Sequence, residues 1–161
     1  PLHLLNQTAM FQALTFLHNF TRWLVLASLL FAVYRAYRGY VSNSEFSISD
    51  NAVRHWTATI AHLQLVIGMI LYFQSPIISY FWAHFGVARK AMDLAFFGLA
   101  HSTFMLTAIV LITLGSALTK RKHADSDKFK TMLVWFSIAL LIIFITIPWP
   151  FSPFASRPYF R

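Results

Sequence analysis

The sequence predicts an all-α integral membrane protein, an up-and-down four-helix bundle with both termini on the non-cytoplasmic side. Three observations predict it. The chain of 161 residues is 58% hydrophobic and only 11% charged, far from the balance of a soluble domain. Four apolar stretches are each long enough to cross a hydrocarbon core of ~30 Å. The basic residues, which give a formal net charge of +8, gather in alternate loops, as orientation in a bilayer demands.

The first predicted span covers residues 11–36, where only His18 and Arg22 are ionisable before Arg35; Arg38 and Gly39 mark its stop. The opening PLHLLNQTAMFQ lacks the basic region and small-residue cleavage site of a signal peptide and reads as the start of this helix. VSNSEFSISDN has no apolar periodicity, so it is a loop in which Ser49 or Asp50 offers a cap to the second helix. The second span, 53–75, contains His62 and ends at Ser75-Pro76.

Residues 77–90 set Tyr80, Phe81, Trp82 and Phe85 beside His84 and Arg89, a composition suited to a short interfacial segment. The third span, 92–119, carries His101 and stops at Lys120-Arg121-Lys122-His123; ADSDK then offers an N-cap. The fourth, 129–148, holds no charged residue or histidine and ends at Pro148-Trp149-Pro150-Phe151, followed by a tail with Arg157 and Arg161. Short connections favour antiparallel neighbours within a single transmembrane domain, 1–161.

The loops after spans one and three, with their flanks, carry Arg35, Arg38, Arg54, Lys120, Arg121, Lys122, Lys128 and Lys130, against Arg89 and Lys90 after span two. That asymmetry places the former loops in the cytoplasm and both termini on the other side of the membrane. It also accounts for the charge without nucleic acid. With no cysteine, thiolate metal sites, iron–sulfur clusters and covalently attached haem are excluded. HExxH, Walker and GxSxG motifs and paired intramembrane carboxylates are missing too, so the chain reads as an electron-transfer or accessory subunit rather than a stand-alone enzyme.

An ionisable residue within a span is a functional candidate by default. At ~1.5 Å per residue, His18 lies ~24 Å before Tyr34 and His101 ~25 Å before Leu118, on helices that run the same way. Both fall in the outer half of the membrane. His62 lies ~21 Å from Pro76 and ~12 Å from Arg54, deeper than the other two. Two facing imidazoles can supply both axial positions of haem b, with His18 and His101 the preferred pair and His62 the alternative ligand. Gly98, one turn before His101, leaves room for a porphyrin edge, and Gly68 offers the same on the second helix. Arg22, one turn after His18, suits a haem propionate or another carboxylate or polar group. A structural reading stands beside this one: a single histidine in a membrane helix commonly bonds a neighbouring hydroxyl or carbonyl.

The segments LHNFTRW (17–23), AHLQLVIGMILYF (61–73), AHSTFMLTAIVLITLG (100–115) and IPWPF (147–151) resemble the signature segments of a family of small bacterial four-helix membrane proteins labelled cytochrome b-like. The resemblance implies that His18, His62, His101, Arg22 and the Pro-Trp-Pro-Phe exit belong to the family pattern. The third helix of that family often carries Glu just before its histidine, where this chain has Ala100; the departure favours haem over a mixed histidine–carboxylate metal centre. The expectation is therefore a haem b-binding subunit of a larger membrane complex. Its partners are lipid, other subunits, and a quinone or an outer-side cytochrome. The alternative is a non-catalytic accessory or assembly subunit, with chlorophyll as a further candidate pigment.

Overall fold

The computed structural model describes residues 2–155, 157 and 158, with side chains from Thr8 onward; the side chain of His3 and the whole of Arg161 lie outside the described residues. Helix α1 spans Leu2–Val41, α2 Ile48–Gln74, α3 Pro76–Ala83, α4 Phe85–Ala88, α5 Met92–Ala95, α6 His101–Arg121 and α7 Asp125–Thr146. A π turn, Phe96–Ala100, joins α5 to α6, so Met92–Arg121 forms one continuous span. Four helices are long and apolar enough to cross a membrane, and no more than 33% of any of their apolar windows is buried inside the protein. The apolar outer faces that remain, with Leu30, Val66, Leu106 and Leu141 exposed, are suited to lipid contact.

Each neighbouring pair of spans is antiparallel, as the cross-contacts show. Between α1 and α2, Arg35 meets Asp50 and Thr57 donates to Ser28 O. Between α2 and α6, Arg54 bonds the backbone and hydroxyl of Ser116 while His62 meets Thr113. Gly115 of α6 lies against Trp135 and Phe136 of α7, and Gly39 of α1 against Phe129 of α7. These contacts close a ring of four up-and-down helices. Its interior holds Leu29, Ala32, Ala36, Ala61, Ala108, Ile112, Met132, Phe136 and Ala139. The alanines allow the close backbone approach on which packing inside a bilayer depends.

Several boundaries differ from the sequence expectation. Gly39 does not stop α1. Its missing side chain admits the Phe129 ring, which a Cβ would meet at 2.3 Å. The stop is Asn43, held at φ 49, with Ser44 N bonded to Gly39 O and Asn43 N to Tyr40 O. That is the paired closure of a helix C-terminus by a left-handed residue, a conformation asparagine tolerates. The cap of α2 is Ser47, two residues before Ser49 and three before Asp50; Asp50 is the third helical residue and accepts from the Ser47 N–H, completing a capping box. Pro76 ends α2 by lacking the N–H its last turn needs, yet it also sits in the first turn of α3, where that N–H is not required. Ala124, with no side-chain bond, precedes α7, and Asp125 and Asp127 occupy its first turn, where a negative charge complements the helix dipole.

Gly115 lets α6 and α7 approach closely, since a Cβ there would lie 2.4 Å from Trp135 Cβ. Gly115→Val is expected to cost about 1–3 kcal/mol, as overpacking of an interior does. Unfolding in detergent with increasing denaturing surfactant measures this, and unchanged resistance would contradict the packing described.

Candidate functional site

The site grows from the end of α7. Pro148 and Pro150 have no N–H, so the carbonyls of Phe144 and Thr146, four residues earlier, lose their helical donors. Side chains replace them: Trp149 Nε1–H donates to Phe144 O at 2.7 Å and His101 Nδ1–H to Thr146 O at 3.1 Å. The second bond fixes the His101 tautomer and leaves Nε2 as the nitrogen with a lone pair. His101 occupies the first position after the π turn, and its own N–H bonds Phe96 O, five residues back. The extra residue in that turn rotates the face carried by α6, a feature frequent at functional positions. The Phe96 and Phe97 rings flank the imidazole at 5.7 and 6.2 Å.

His18 faces α2. A Cβ on Gly68 would lie 3.1 Å from His18 Cε1 and 3.6 Å from its Nδ1, so this glycine makes room for the imidazole itself. One turn earlier on α2, Gln64 Nε2 donates to His18 O at 2.9 Å, and its amide oxygen accepts from the Thr21 hydroxyl. The segment carrying His18 is thus tied to α2, while its Nδ1 is buried with no hydrogen-bond partner. Arg22, one turn on, is buried, with its guanidinium carbon 5.5 Å from the Trp23 ring centroid and 6.0 Å from that of Trp149. Arg22 and His101 both meet the end of α7, through Trp149 and Thr146 O respectively, and His18 lies one turn before Arg22 on α1.

Two other candidates sit elsewhere. His62 is exposed on the outer face of the bundle, where Nε2 meets the Thr113 hydroxyl at 2.9 Å. The space above Gly98 is filled by Phe81, whose ring a Cβ would meet at 2.5 Å. Gly98 O accepts from Tyr72 Oη, which in turn accepts from Trp82 Nε1–H, both at 2.9 Å. Gly98 therefore seats α3 against the π turn. Gly68 and Gln64, by contrast, position His18, and Thr146 and Trp149 define the surroundings of His101 and Arg22.

A groove of about 520 Å³ runs between α1 and α7, lined by Trp23, Leu26, Leu30, Leu140, Phe144 and Trp149. Its lining includes the two indoles beside Arg22. Among the described residues no group of three or more His, Cys, Asp or Glu side chains could hold a metal ion. Comparison with protein-family models, with curated proteins and with solved structures gives no match.

Proposed function

We propose that this chain is a haem b-binding subunit of a larger membrane complex, in which His18 and His101 would hold the haem iron. The observation that carries the reading is that His101, its ring oriented by Thr146 O, and buried Arg22, beside Trp149, both meet the end of α7, with His18 one turn before Arg22 on α1. A ligating histidine ordinarily donates its other N–H to a carbonyl or carboxylate, which fixes the ring and raises its basicity. His101 meets this condition, whereas His18 Nδ1 is buried with no hydrogen-bond partner. Phe81 over Gly98 places any macrocycle edge away from that glycine. When bound, haem supplies a one-electron couple. Arg22 supplies positive charge for a propionate, and the surrounding phenylalanines and tryptophans keep water away.

In this reading the basic residues at the α1–α2 and α6–α7 ends face the cytoplasm of a bacterium, which puts both termini on the outer side of its inner membrane. The redox partner is then a quinone, whose prenyl chain the α1–α7 groove suits, or an outer-side cytochrome. A second reading, an accessory subunit without a cofactor, draws on the Thr146 bond: His101 completes the end of α7 whether or not it binds iron.

Purification from native membranes in mild detergent separates them. The proposal expects about one haem b per chain, as axial ligation by one histidine pair requires, with a Soret shift and an α band on reduction. Gly68→Val, which drives a side chain into the His18 ring, is expected to reduce that content while the bundle persists. Native material without haem absorption supports the accessory reading and overturns the proposal.

A further inference from the structure

The end of the bundle where α1 passes into α2 carries a polar cleft, far along α1 from His18. It holds about 310 Å³, and its charged lining is Arg35, Arg38, Glu45 and Asp50, above a floor that includes Phe129. The ends of membrane spans meet phospholipid head groups, and tyrosines gather at that level. Tyr34, Tyr37 and Tyr40, spaced by three residues along the last turns of α1, are all exposed, and Tyr34 lines the cleft itself. The cleft therefore sits at head-group depth.

Most of its polar groups are taken up within the protein. Arg35 is paired with Asp50 at 2.6 Å. The Ser42 hydroxyl bonds Arg38 O and the Ser44 hydroxyl, and the Ser47 hydroxyl bonds Asp50. Two charges are left over. The Arg38 guanidinium meets only Tyr34, an uncharged partner whose hydroxyl lies 3.3 Å from Nη1. The exposed Glu45 carboxylate has no hydrogen bond or ion pair among the described residues. A cation and an anion thus line one cleft without pairing with each other, which complements a ligand carrying the reverse pair of charges.

We infer that this cleft binds the head group of a phosphatidylethanolamine, its phosphate on Arg38 and its ammonium on Glu45. A guanidinium matches phosphate oxygens in charge and geometry, and a carboxylate accepts from the N–H donors of a primary ammonium. A choline head group has no N–H to donate, and a glycerol head group leaves Glu45 unmatched. Phe31, one turn from Tyr34 toward the membrane centre, is exposed and gives an acyl chain an apolar path away from the cleft. The inference rests on the membrane-spanning fold alone and is independent of haem.

The full chain, delipidated in mild detergent and reconstituted into nanodiscs with equal amounts of phosphatidylethanolamine, phosphatidylcholine and phosphatidylglycerol, tests it; native mass spectrometry counts the lipid retained. The expected result is a single phosphatidylethanolamine held per chain in preference to the other two. Glu45→Gln is expected to lower its preference over phosphatidylcholine about twofold to fivefold, the range for exposed charge pairs, and Arg38→Gln to lower its retention by a similar factor. Arg121→Gln, at the same end of the bundle but outside the cleft, should change neither. Soluble glycerophosphoethanolamine at the same concentration should not be retained, since it lacks the acyl chains. Circular dichroism checks that each variant is folded. Equal retention of the three lipids, a preference for either of the others, retention of the soluble compound, or a preference that survives Glu45→Gln and Arg38→Gln overturns the inference. So does a loss in Arg121→Gln as large as in those two, which would report surface charge in general.

Discussion

His101→Leu is expected to abolish haem binding and to destabilise the bundle by about 1–3 kcal/mol, because it leaves the Thr146 carbonyl buried without a donor. The two effects can be separated. In His101→Asn the side-chain amide nitrogen stands close to the place of Nδ1, so the bond to Thr146 O is expected to survive while the ligating nitrogen is lost. Stability near wild type with no haem is the predicted outcome for the asparagine variant. Haem retained in either variant would remove His101 from the ligand pair, and equal destabilisation in both would contradict its role at the end of α7. Denaturant titration in detergent micelles, followed by helical circular dichroism, measures the first quantity and absorption the second.

Asp50→Ala is expected to cost about 2–3 kcal/mol through the loss of a capping box and an ion pair together. Oδ2 accepts from the Ser47 N–H at 3.0 Å and its hydroxyl at 2.6 Å, while Oδ1 receives both Nε and Nη2 of Arg35 at 2.9 and 2.6 Å. Asp50 is almost fully buried but the Arg35 side chain is 39% exposed, so solvent screening keeps the pair's share small. Most of the loss comes from the first turn of α2. Asp50→Asn keeps one acceptor oxygen, enough for either the Ser47 or the Arg35 contact but not both, and is expected to lie between wild type and Ala in the same titration; an Ala variant as stable as wild type would contradict the capping assignment.

The four spans were legible because each is a long apolar run bounded by charges or proline, a signal that survives without tertiary information. Their ends were less so. Gly39 reads as a stop in sequence, yet its use is set by Phe129, some ninety positions away, and Asn43 takes over the left-handed closure. The depth match of His18 and His101 follows from helix rise alone, since parallel-running helices in one bundle share a level scale. Which faces those side chains occupy depends on the π turn before His101, whose extra residue no 3.6-residue pattern anticipates. For the same reason Gly98, one apparent turn from His101, meets Phe81 rather than a space beside the imidazole. One signal was present and unused: two prolines at 148 and 150 leave two carbonyls without donors, which calls for side-chain donors such as Trp149 and His101.

The ligand pair is tested most directly by electron paramagnetic resonance of the oxidised protein at low temperature, comparing His18→Leu, His101→Leu and His62→Leu with wild type. The account predicts a low-spin bis-imidazole ferric signal in wild type and in His62→Leu, and its loss in the other two variants. A low-spin signal that survives His18→Leu or His101→Leu, or that disappears only in His62→Leu, would contradict it.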